Sequence, residues 1–87
     1  MMHMFNKEDE NYIYELVSKN FKKYRKQLGI SKFDVASRCG FSTQFIGNIE
    51  SPNYHQTFSL ATIYSLSKAL GIDISLLFEE DEQESDF

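Results

Sequence analysis

Gln44 and Asn48 stand four residues apart, with Thr43 beside the first of them. Four residues is close to one helical turn, so on a helix the two carboxamides share a face. A carboxamide sets a donor and an acceptor side by side, which lets Gln and Asn pair bidentately with the edge of adenine. Threonine brings a hydroxyl and a methyl that can meet thymine. On an arbitrary helix these same residues are ordinary solubilising groups. Their chemistry therefore depends on the element that carries them and on where it points.

Other chemistries find less support. No nucleophile–base pair, carboxylate dyad, glycine-rich phosphate loop or metal-ligand spacing stands out, so no enzyme, metal, cofactor or small-molecule substrate is expected. A single cysteine, Cys39, excludes an intramolecular disulfide. With only His3 and His55 to help, it cannot complete a four-ligand zinc site. His55 reads as a solvated loop residue and His3 as part of a frayed terminus, while Cys39 reads as a small core residue. The acidic run at 79–86 lacks the central glycine and the regular ligand spacing of a calcium loop.

The chain of 87 residues is one small domain, 41% hydrophobic and rich in aromatics, with eight Phe and five Tyr. Its apolar runs are too short to span a membrane, and the N-terminus does not resemble a signal peptide. A soluble cytoplasmic protein is expected. The net charge of −4 is unevenly spread. Residues 1–18 carry −3, residues 79–87 carry −6, and residues 19–78 carry +5 from Lys19, Lys22, Lys23, Arg25, Lys26, Lys32, Arg38 and Lys68 against Asp34, Glu50 and Asp73. A basic body between acidic ends can meet a polyanion although the whole chain is acidic. A lysine run that only solvates a helix face accounts for the same charges.

The elements that must position Gln44 and Asn48 follow from periodicity. Ile13, Leu16, Val17, Phe21, Tyr24 and Leu28 recur at helical steps and predict a helix over about 10–28, stopped by Gly29. Ser31 caps a second, short helix with Val35, Ala36 and Cys39 facing inward and Gly40 at its end. Ser42 caps a third, to about Glu50, with Phe45, Ile46 and Ile49 inward. Residues 51–58, broken by Pro52, read as a loop. Ser59 caps a fourth helix with a stripe of Leu60, Ile63, Tyr64, Leu66 or Ser67, and Leu70, ended by Gly71. A short fifth helix, capped by Asp73, turns Ile74, Leu77 and Phe78 inward. The expected fold is all-α: a compact five-helix bundle over residues 1–78, followed by an acidic, disordered tail over 79–87.

Two short helices joined through a glycine turn have the layout of a helix-turn-helix. The segment 31–50, SKFDVASRCGFSTQFIGNIE, resembles the signature of the lambdoid-repressor (Cro-like, Xre-type) helix-turn-helix family. The resemblance runs from about Val17 to Phe78, and Ser59-Leu60 and the segment 69–72 match the family's fourth helix and its exit. It implies that Thr43, Gln44 and Asn48 read bases from the major groove and that Arg25 and Glu50 form a partly buried ion pair. It also implies phosphate contacts from Lys32, with Ser42 and the loop residues Asn53 and His55, beside Tyr54 and Gln56, as further candidates. The implied function is a sequence-specific transcriptional repressor that binds an inverted repeat of double-stranded DNA as a homodimer.

Two departures matter. Ser51-Pro52 stands where many relatives carry a glycine and basic residues, which weakens the loop's hold on phosphate. Gly47 lies inside the third helix, at a cost of about 1 kcal/mol relative to alanine. It either admits a sugar–phosphate strand or is a tolerated flaw, with the weight on the second. The acidic ends and abundant aromatics also fit a different class, a protein-interaction module or antitoxin-like partner that keeps the fold without relying on DNA.

Overall fold

The computed structural model describes residues 7–51 and 57–80. Helix α1 (Lys7–Leu28) is followed by α2 (Lys32–Cys39), α3 (Thr43–Glu50), α4 (Leu60–Leu70) and a 3₁₀ helix (Ile74–Phe78). All regular structure among the described residues is helical, and none of these helices is long and apolar enough to cross a membrane.

Each short helix starts where a serine can take an orphan amide. Ser31 Oγ accepts from Asp34 N at 3.0 Å, Ser42 Oγ from Phe45 N at 3.0 Å and Ser59 Oγ from Thr62 N at 3.1 Å. Eight-residue helices are too short to persist alone, so these caps and the core beneath them hold α2 and α3 in place. Between the two, Gly40 adopts φ 77°, a left-handed conformation that disfavours any side chain. Its amide and that of Phe41 both donate to Ala36 O, at 2.8 and 2.9 Å, which closes the end of α2 and turns the chain.

The core gathers Val17 and Phe21 of α1, Val35 and Ala36 of α2, Ile46 and Ile49 of α3, Ile63, Leu66, Ala69 and Leu70 of α4, and Leu77. Four residues assigned to inner stripes, Ile13, Leu28, Leu60 and Tyr64, are exposed. The cause is geometry at element ends. At 1.5 Å per residue α1 runs roughly 33 Å, far longer than the short helices beside it, so Ile13 and Leu28 overhang. Leu60 sits in the first turn of α4, and Tyr64 lies on the neighbouring 60–64–68 row, where Lys68 Nζ rests 5.7 Å from its ring.

Among the described residues there are four α-helices rather than five. The segment after Gly71 winds as a 3₁₀ helix: Asp73 Oδ1 accepts from Ser75 N at 2.9 Å, which holds that carboxyl below its usual range, and Leu76 N donates to Asp73 O at 3.0 Å. A stretch this short gains little from α winding, and its carbonyls are claimed from outside. Buried Asn20 donates through Nδ2 to Leu77 O at 3.0 Å and to Glu79 O at 2.7 Å. Replacing Asn20 with leucine should therefore cost about 2 kcal/mol, the penalty for unpaired buried carbonyls. Urea denaturation checks this, and an unchanged midpoint would refute it.

The acidic segment begins as a docked strap. Tyr24 Oη donates to Glu79 Oε1 at 2.7 Å and Tyr12 Oη to Glu80 Oε2 at 2.6 Å. Residues 81–87 lie outside the described region. The hydrogen bond to the Glu79 carboxylate, with some desolvation, pushes the Tyr24 hydroxyl above the usual phenol range. A raised folded-state pKa stabilises the fold fully below the unfolded value, and the contribution is lost as pH climbs through the folded one. A difference titration of wild type against Tyr24→Phe should reveal a tyrosine ionising above the usual phenol range. If the missing signal titrates at the ordinary phenol value, this contact is absent in solution.

Candidate nucleic-acid interface

The polar surface of α3 follows from its amphipathic sequence. Ile46, Ile49 and Glu50 turn inward, so Thr43, Gln44, Gly47 and Asn48 must turn out. Thr43 and Gln44 are exposed and Asn48 half-exposed. None of these three side chains holds a hydrogen bond within the described structure, so their donors and acceptors are available to a partner. The outward surface of α3 carries no charge, because Glu50, its one ionic residue, is buried.

Beneath α3, Phe41 and Phe45 pack edge to face with centroids 4.9 Å apart, bracing the turn against the first coil of the helix. At the other end, Arg25 and Glu50 form a bidentate pair: Nε donates to Oε2 at 2.5 Å and Nη2 to Oε1 at 3.0 Å. Arg25 Nη1 also donates to Ile30 O at 2.8 Å. One guanidinium thereby ties α1 to the α1–α2 connection and to the last turn of α3. The outer helix is gripped at both ends by groups that its sequence supplies.

Lys32 is exposed on the first turn of α2, and Ser42 is exposed at the start of α3 with its hydroxyl already engaged as the cap. Free amides at such helix starts attract anions. Asn53 and His55, with Tyr54 and Gln56, lie outside the described residues. The chain re-enters at residues 57–59, where Phe58 packs edge-on against Tyr14 at 5.3 Å. Arg38 turns away from α3 and donates through Nη1 to Ala69 O at 2.6 Å, closing the carbonyl end of α4. Part of the basic body is therefore structural: both arginines are engaged with the protein, Arg25 buried and Arg38 on the surface.

Phe33 lies off the inner face of α2. It is 68% exposed beside Lys32. Its position off the Val35–Ala36–Cys39 stripe was the available signal, since an apolar residue off the inner face of a short helix has no core to enter. Cys39 is half-buried, its Sγ 3.5 Å from Ser65 O, and burial pushes its thiol up. That is a packing residue rather than an activated nucleophile. No metal-binding cluster of His, Cys, Asp or Glu occurs among the described residues.

Comparison with known proteins agrees with this geometry. A family model described as a helix-turn-helix domain matches residues 18–81. A relative from Sinorhizobium fredii, the uncharacterized HTH-type transcriptional regulator y4dJ, is 33% identical over 69 residues, spanning 78% of this chain and 87% of the relative. This chain belongs to the helix-turn-helix family of transcriptional regulators. Solved structures share its fold. A hypothetical transcription factor NHTF from Neisseria superposes with a TM-score of 0.71 at 19% identity, covering 85% of this chain and 83% of that one. The restriction-modification controller protein C.AhdI from Aeromonas hydrophila gives 0.66 at 25% identity, covering 75% of this chain and 96% of that one.

Proposed function

We propose that this helix-turn-helix chain is a sequence-specific repressor that lays α3 in the major groove of an inverted-repeat operator. The carrying observation is the outer face of α3, where Thr43, Gln44 and Asn48 are accessible and hold no hydrogen bond of their own. A helix of about 12 Å fits a groove about 12 Å wide. In this reading Thr43, Gln44 and Asn48 meet bases, while Lys32, Ser42 and the loop residues Asn53 and His55 meet phosphate. Residues 1–78 act as the DNA-binding domain in the cytoplasm, and the acidic segment 79–87 tempers non-specific attraction to DNA.

A single short helix reads few base pairs, so a homodimer is proposed, with half-sites about one helical turn apart. Tyr12 and Ile13, exposed on α1, supply apolar surface for a second copy. A different reading, docking of a protein partner, draws on Leu60 and Tyr64, exposed one turn apart on α4.

Selection from random duplex DNA, followed by binding titrations across salt concentrations, tests the proposal. An enriched palindrome and a log–log slope of about −0.9 per neutralised phosphate are expected. No enrichment and a flat salt response would defeat the DNA reading. A stable protein partner recovered in their place would favour the α4 surface. An enriched but non-repeating site would defeat the homodimer alone.

A further inference from the structure

Gly47 is the one glycine of α3, and nothing inside the protein asks for it. The glycines at left-handed backbone positions are Gly29, Gly40 and Gly71, and Gly47 is not among them. A Cβ built on Gly47 would meet no atom within 4 Å beyond its own turn. Alanine would therefore fit without a clash and would favour the helix more. What the bare position changes is the outer surface. It lies four residues after Thr43 and three after Gln44, adjacent to Asn48, so it shares their side of α3.

The same surface is unusual in what it lacks. Arginine is the commonest reader of guanine, through O6 and N7, and lysine can serve likewise. Both arginines of this chain are engaged elsewhere, Arg25 with Glu50 and Ile30, Arg38 with Ala69. Helix α3 carries no lysine. Its readers are Thr43 and two carboxamides suited to adenine, and the bare Gly47 leaves open space between Thr43 and the carboxamides. Each adenine brings a paired thymine, whose 5-methyl projects into the same groove.

Resting on the proposed DNA reading, we infer that Gly47 is a specificity position: its bare Cα seats the methyl of one thymine in a half-site read as A·T pairs. The close approach is to a base edge, and the missing side chain is the recognition element.

Uracil differs from thymine only by that methyl, which makes the test direct. A duplex selected by wild-type protein is re-synthesised with each thymine in turn replaced by uracil. Wild type should lose about fourfold in affinity at one position of each half-site, the worth of one buried methyl. Gly47→Ala should melt no lower than wild type yet bind the thymine duplex about tenfold more weakly, because two methyl groups then compete for one space. At that position of either half-site the variant should bind the uracil duplex better than the thymine duplex, reversing the wild-type order. Equal affinity of wild type and Gly47→Ala for the thymine duplex would overturn the inference, as would a loss unaffected by uracil at every position. Failure of the underlying DNA reading is separately visible: wild type itself would then enrich no sequence.

Discussion

Replacing Glu50 with alanine is expected to bring the protein to the edge of unfolding in dilute buffer at room temperature. The carboxylate holds two nitrogens of Arg25, and both side chains are nearly inaccessible, at 9% and 3%. Removing one member of a buried pair strands the other charge away from water, which costs about 3–5 kcal/mol. Small domains have only about 5–15 kcal/mol in total, and one of this size lies near the bottom of that range. The freed guanidinium would keep its bond to Ile30 O, yet the last turn of α3 would lose its tether to α1. Urea denaturation followed by circular dichroism gives the number, and a loss below about 1 kcal/mol would show the pair to be solvated. The double substitution Arg25→Met, Glu50→Leu should recover much of the loss, since apolar residues of similar volume often replace a buried pair without penalty. The pair's task would then be to fix the register of α3 against α1 rather than to add net stability.

The second large effect concerns binding. Gln44→Ala combined with Asn48→Ala should abolish sequence preference while leaving the fold intact. Each bidentate amide–adenine pair accounts for about 1–3 kcal/mol of discrimination, so the double variant loses roughly 2–6 kcal/mol between the selected duplex and a scrambled one. Neither side chain holds a hydrogen bond in the protein, so stability should stay within about 0.5 kcal/mol of wild type. Weak, salt-sensitive attraction to any duplex should persist, because the lysines are untouched. Competition binding with selected and scrambled duplexes reads the result. Undiminished preference in the variant would remove both residues from the reading surface, whatever the wild type binds.

These two effects divide along the line between what sequence makes legible and what it does not. The caps at Ser31, Ser42 and Ser59 and the turn at Gly40 were readable because each is a local event: a hydroxyl reaching an amide three residues on, or a backbone angle that one residue tolerates best. The outward face of α3 was readable for a related reason. Once Ile46 and Ile49 are inside, helical geometry fixes where Gln44 and Asn48 lie. The Arg25–Glu50 pair was accessible only through family resemblance, since nothing local links residues 25 apart.

Asn20 marks the limit most clearly. In sequence it is a polar residue amid lysines, yet it is buried and holds the carbonyls of Leu77 and Glu79, more than fifty residues onward. Periodicity misplaced Leu60 and Tyr64 because a stripe records which side of a helix is apolar, not how far a neighbour extends to cover it. It also counted the last segment as a fifth α-helix, because i→i+3 and i→i+4 winding place similar side chains inward over so few residues.

The sequence by itself determined the four α-helices, the serine caps, the short turn between α2 and α3, and the outward position of Gln44 and Asn48 on α3. All of these rest on interactions within a few residues of chain. Tertiary structure alone decided that Asn20 anchors the final 3₁₀ turn, that Arg38 serves α4, that the acidic segment begins tied to Tyr24 and Tyr12, and that the space around Gly47 is empty. Those outcomes depend on which distant surfaces meet, and a one-dimensional pattern of side chains does not encode that distance.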